Sequence, residues 1–157
     1  MSLSRKVATC LWYDGAAEDA ALLYVSLIPG SQIETIFRPQ PSAPALMVSF
    51  RLADTPYRAL NGGPQFKHTE AASISVTTGD QDETDRLWTA LTAGGGSESR
   101  CGWLKDRFGL FWQIIPEALP RLLGSPDREA ANRTMQAMMG MGKIDIAALE
   151  RAHAGGA

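Results

Sequence analysis

Two stretches of the chain share one template: Leu23-Tyr24-Val25-Ser26-Leu27-Ile28-Pro29-Gly30 and Leu87-Trp88-Thr89-Ala90-Leu91-Thr92-Ala93-Gly94. They lie about 64 residues apart, each on an amphipathic segment that follows a strand-like run and precedes further strands. A fold that accommodates this must use a strand-helix-strands module twice. That makes the chain α+β, with paired modules and a region left over at the C-terminal end.

The punctuation supports this reading. In the first module, Lys6 to Tyr13 is β-prone and closes at Asp14-Gly15, and Ala16 to Leu27 carries Ala20, Leu23, Tyr24 and Leu27 at helical spacing. Pro29-Gly30 stops that helix, after which 31–37, 45–52 and 57–60 read as strands around a proline-rich connection. The second module repeats the order: strand 71–78, helix 82–93 ending in three glycines, then strands 101–104 and 110–115. From Glu117 the pattern turns helical, with segments 117–123, 127–139 and 144–153 broken at Gly124-Ser125-Pro126 and Gly140-Met141-Gly142. The expected organisation is therefore a domain over 1–116, with modules at about 5–63 and 68–116, and a helical extension over 117–157. That extension, with Met135, Met138, Met139 and Met141, is expected to pack on the domain or on a second subunit.

Composition narrows the function classes. A net charge of -2 with scattered Lys and Arg disfavours nucleic-acid binding. No apolar run approaches the roughly 18 to 20 residues that span a bilayer, and Met1 to Lys6 leads into a strand, so a cytoplasmic location and no membrane partner are expected. Cys10 and Cys101 both fall in predicted strands and read as reduced, half-buried thiols.

Several strings together carry a family resemblance: Ala8-Thr9-Cys10-Leu11-Trp12-Tyr13-Asp14-Gly15, Asn61-Gly62-Gly63-Pro64-Gln65-Phe66-Lys67, Asp85-Arg86-Leu87-Trp88 and Cys101 through Gln113. With the tail segment Lys143 to Ala152, they resemble the PhnB-like group of the vicinal oxygen chelate, or glyoxalase/bleomycin-resistance/dioxygenase, superfamily. The resemblance implies paired βαβββ modules whose strands form a curved mixed sheet, a cup for a small molecule, and a homodimer. Members are often labelled 3-demethylubiquinone 3-methyltransferase, yet no Gly-rich loop after a strand is present here to hold S-adenosylmethionine.

The resemblance also implies where a metal would be held: a His or Glu early in each module's first strand and a second ligand in its last. Counting back from Asp14 and Asp80 puts Val7 or Thr9, and Ser73, at the first positions; the last strand offers Gln113. One amide oxygen cannot hold a divalent ion, so neither a standard metal centre nor a cofactor is expected. His68 and His153 read as solvated.

Strand alternation places Thr9, Ser73, Ser75, Gln113 and Asn61 toward the cup, with Trp12, Ile74, Val76 and Trp112 backing onto the helices. Phe66 and Trp103 would supply flat walls. No Ser-His-Asp or Cys-His pattern marks a nucleophile, and Asp14, Asp80, Asp82 and Asp106 sit where carboxylates cap turns and helices. The residues favour a small-molecule binding protein, with a divergent enzyme of the superfamily, metal-dependent or methyl-transferring, as the alternative.

Overall fold

In the computed structural model, which describes residues 6–156, the first repeat becomes β1 (Thr9–Tyr13), α1 (Ala17–Leu27), β2 (Gln32–Phe37), β3 (Met47–Leu52) and β4 (Thr55–Asn61). Its strands form one sheet in the order β1-β4-β3-β2, with β1 parallel to β4 and the other pairs antiparallel. Alternation in β3 explains why α1 lies on one face only: Val48, Phe50 and Leu52 are buried while Met47, Ser49 and Arg51 are not. The helix meets that face with Ala17, Ala20, Ala21 and Tyr24, small side chains that let the backbone come close around one large ring. Each fully buried Phe or Leu contributes roughly 1.5 to 3 kcal/mol by leaving water.

The second repeat gives β5 (Ile74–Thr78), α2 (Gln81–Thr92), β6 (Ser97–Glu98), β7 (Trp103–Lys105) and β8 (Phe111–Pro116), in the order β5-β8-β7-β6 with β5 parallel to β8. The chain divides into two compact units between His68 and Thr69. Sequence periodicity missed β6, which has two residues and neither is apolar. It also placed Cys101 within a strand. Cys101 instead sits in a turn at φ 57, ahead of β7, and is only partly buried, while Cys10 is exposed.

The helical extension belongs to the second unit. It consists of α3 (Ala118–Leu123), α4 (Arg128–Met139) and α5 (Ile146–His153), with Leu119, Leu122, Ile144 and Leu149 as a buried cluster against which Ile115 of β8 packs. Asp127 and Asp145 cap α4 and α5 by accepting from the Ala130 and Ala148 amides. The chain between these helices is stitched back onto the module. Cys101 and Gly102 donate to the carbonyls of Met141 and Gly142, each at 2.8 Å. Gln81 donates to Ile144 O at 3.0 Å and accepts from Ile146 N at 2.8 Å. The methionine face is divided: Met138 and Met141 pack on the cluster, whereas Met135 and Met139 are exposed.

Candidate functional site

The first unit's sheet has a face that its helix does not cover, and in the second unit the face opposite α2 is covered at its Ile115 end by the tail cluster and holds Gln113 beyond it. These two faces hold the candidate residues. In the second unit, Ile74 and Trp112 are buried on the helix side, which turns Ser73, Ser75, Gln113 and Trp103 to the other. Ser75, Gln113 and Trp103 are direct register partners and form one row across β5, β8 and β7. The Gln113 amide donates to Ser73 Oγ at 2.9 Å, and Gln113 Oε1 has no partner among the described residues. A fixed amide, two hydroxyls and an indole thus share one open surface.

Trp112, on the opposite side, is anchored by Asp106, which is buried. The Asp106 carboxylate accepts from the Phe108 and Leu110 amides at 2.8 and 3.0 Å and from Trp112 Nε1 at 2.9 Å. Asp80 caps α2 by accepting from Glu83 N, while Glu83 accepts from Gly79 N, both at 2.8 Å. These two acids are structural.

In the first unit the expected phase is reversed. Leu11 and Tyr13 are buried, and the Tyr13 hydroxyl meets that of Tyr24 on α1 at 3.1 Å, so Thr9 shares the helix side with them. Cys10 and Trp12 occupy the open face. Asn61 is likewise on the helix side: its Oδ1 accepts from Ala17 N at 2.9 Å and its Nδ2 donates to Ala45 O at 2.8 Å. Both ends of the amide close backbone groups, so Asn61 supplies the cap that Ala16 lacks at the start of α1. The cause of the reversal is local. Tyr13 and Thr78 are the last, buried residues of β1 and β5, yet Asp14 follows Tyr13 by one residue and Asp80 follows Thr78 by two. Counting from the aspartates shifts the phase by one, which flips every side chain.

Trp12 is held from several sides by the segment after β4. Its Nε1 donates to Gly63 O at 2.8 Å, and His68 Nε2 lies 2.8 Å from the Trp12 carbonyl oxygen. Phe66 meets the Trp12 indole edge-to-face at 4.9 Å between centroids while remaining 67% exposed. At Gly62 a β-carbon would lie 2.3 Å from Trp12 Cζ2, so only glycine fits. His68 is therefore engaged rather than solvated. His153 is half-buried, and its buried Nε2 makes no hydrogen bond among the described residues. The row beside Trp12 comprises Cys10, Arg58, Ser49 and Thr35, register partners across the sheet, and sequence reading passed over Arg58 because the phase was wrong. Opposite it on the helix side, Tyr57 stacks on Phe50 at 5.5 Å, and burial raises its hydroxyl pKa above the ordinary tyrosine value.

Among the described residues, no group of three or more His, Cys, Asp or Glu side chains gathers as a metal-binding cluster. The donors at the superfamily's expected positions are a hydroxyl at Ser73 and an amide at Gln113, joined to each other by a hydrogen bond. This set does not fit a divalent ion.

The family model for 3-demethylubiquinone-9 3-methyltransferase matches residues 5–115. This chain belongs to that PhnB-like family, within the vicinal oxygen chelate superfamily. Among solved structures it is similar to a PhnB protein from Bacillus cereus that carries the family's name, at 26% identity and TM-score 0.65, covering 71% of this chain and 99% of that one. Protein PA1353 from Pseudomonas aeruginosa shares the fold at 22% identity and TM-score 0.59, over 73% and 98% of the two chains. So does the fosfomycin resistance protein FosX from Listeria monocytogenes, solved with Mn(II) and sulfate, at 13% identity and TM-score 0.50, over 73% and 90%. No curated protein matches. No helix among the described residues is long and apolar enough to cross a membrane.

Proposed function

We propose that this PhnB-like chain binds a small organic molecule on the open faces of its sheets through hydrogen bonds and aromatic contact, without a metal centre of the kind its superfamily uses. The observation that carries the reading is the row Ser75–Gln113–Trp103, with Gln113 fixed by Ser73 and its Oε1 left to accept from a ligand. An amide presented beside an indole orients a polar group and an adjacent flat one, whereas a metal site needs convergent anionic or imidazole donors.

Ser73, Ser75, Gln113 and Trp103 are the proposed contacts in the second unit, and Phe66 with Trp12 the aromatic wall in the first. Thr9 and Asn61, by their placement on the helix side, take supporting roles. We further propose that the protein acts as a cytoplasmic homodimer, since Ile36 and Phe37 on edge strand β2 are 40% and 58% exposed and a second copy would cover them. Light scattering at micromolar concentration tests this, with a monomer as the adverse result.

For the binding reading, the chain purified without chelator is assayed for metal and its melting temperature followed against a panel of small organic metabolites. The expected result is no stoichiometric divalent ion and a raised Tm with some panel members, lost in Gln113→Ala. A stoichiometric Mn²⁺, Fe²⁺ or Zn²⁺ would sink the proposal. Saturable heat on titrating S-adenosylmethionine would replace it with the methyl transfer that the family's name describes.

A further inference from the structure

The two ladders give a correspondence that the sequence repeat leaves out of register. The parallel pairing of β1 with β4 ends at Tyr13–Asn61 and that of β5 with β8 at Thr78–Pro116. Counting back equally from those pairs, Arg58 takes in the first sheet the place of Gln113 in the second, and Cys10 and Ser49 take the places of Ser75 and Trp103. The central strand of the first unit therefore presents a guanidinium where its counterpart presents an amide.

This guanidinium is uncompensated. Arg38 is paired with Glu18 at 2.6 Å, and Arg51 with Glu34 and Asp54 at 3.7 and 3.9 Å. The exposed side chain of Arg58 makes no hydrogen bond or ion pair among the described residues. Its register neighbours are a thiol and a hydroxyl, with the Thr35 hydroxyl one strand further, and no carboxylate stands in the row. Two residues along the strands, a rise of about 6.8 Å, lies Trp12, fixed by Gly63 and His68 and faced by Phe66. A cation and an immobilised aromatic wall thus stand one small molecule apart on the same face.

We propose that Arg58 recognises the oxyanion, a carboxylate or a phosphoryl-type group, of a small aromatic acid whose ring lies against Trp12 and Phe66. The guanidinium's planar fork matches two such oxygens, and Ser49 and Thr35 add hydroxyl donors. The inference rests on the reading that the open sheet faces take a small organic molecule, and it specifies that molecule's charge.

The probes are benzoate, phenyl phosphate and neutral benzamide, titrated by calorimetry at low salt into the full chain, Arg58→Gln and Arg58→Lys, with circular dichroism melts confirming that each variant folds. At least one charged probe should bind about tenfold more tightly than benzamide. That preference should disappear in Arg58→Gln, persist in part in Arg58→Lys, and shrink as salt is added. Alkylation of Cys10 by iodoacetamide, read by mass spectrometry, should slow when the charged probe is bound, because Cys10 is Arg58's neighbour in the row. Equal affinity for charged and neutral probes, an unchanged preference in Arg58→Gln, or no binding of any probe overturns the assignment. Failure here, with metabolite binding still lost in Gln113→Ala, leaves the binding function standing and removes only the role of Arg58.

Discussion

Where α1 begins, the side chain that closes a free backbone N–H comes from Asn61, 44 residues further along the chain. Where α2 begins, it comes from Asp80, the helix's own N-cap, with Glu83 reaching back to Gly79. The same contrast holds for the two anchored tryptophans. Trp12 is pinned by a segment beyond β4, whereas Trp112 is pinned by Asp106 from the turn just before its own strand. The duplicated modules keep one strand order and one helix position, yet at the helix start and at the anchored tryptophan the first draws its partner from far along the chain and the second from close by. Identical topology therefore does not require identical anchoring. At the shared central position, Arg58 against Gln113, the chemistry offered to a ligand differs as well.

The largest expected effect is at Asp106. Replacing it with Ala leaves the Phe108 and Leu110 amides and the Trp112 indole N–H without this acceptor in a buried setting, at a cost of about 3 kcal/mol or more. Asp106→Asn should cost less, because one oxygen can still accept from both amides while the new NH₂ faces another donor. Urea denaturation gives the free energies, and hydrogen exchange at Phe108 and Leu110 shows whether the local bonds are the cause. If Asp106→Ala unfolds with unchanged free energy, local anchoring of the second unit is wrong.

This contrast also explains what the sequence could reveal. The second sheet's faces were assigned correctly because Ser73, Ile74, Ser75 and Val76 alternate cleanly, and Asp80 marks the helix start by capping it. The first sheet's faces were inverted because Asp14 is not a cap, and the true cap, Asn61, lies at the end of the third strand that follows α1. Periodicity carries information about neighbours two to four residues apart. It is silent on a cap supplied across the sheet, on Gly62 yielding its side-chain volume to Trp12, and on a two-residue strand such as β6.

The two caps sharpen the comparison at intermediate size. Asn61→Ala removes an acceptor from Ala17 N and a donor to Ala45 O together, and should cost about 1 to 2 kcal/mol. Asp80→Ala removes one cap bond at an exposed helix start and should cost about 1 kcal/mol. Denaturation midpoints of the two variants, compared at unchanged slope, rank them. An Asp80→Ala loss greater than that of Asn61→Ala would show that the long-range cap is the minor one.

The smallest effect concerns the tail's attachment to the second unit. Hydrogen bonds from Lys143, at 2.8 Å, and from Gln81 hold the Asp85 carboxyl below the usual carboxylate range. A carboxyl whose pKa is depressed in the folded state contributes stability that is fully present above its unfolded value of about 3.9 and is lost as pH falls through the lower folded value. Both partners are well exposed, at 38% and 44%, so solvent and salt reduce the contribution to well under about 1 kcal/mol at neutral pH. Lys143→Met should therefore be slightly less stable than the parent at pH 7, and the gap should close as pH is lowered into the range below about 4. Melting curves across that range decide the matter. A gap that is independent of pH would assign the loss to packing of the lysine stem, and the tail would then be held by Gln81, the Cys101 and Gly102 amides and the Leu119–Ile144–Leu149 cluster, with no contribution from the ion pair.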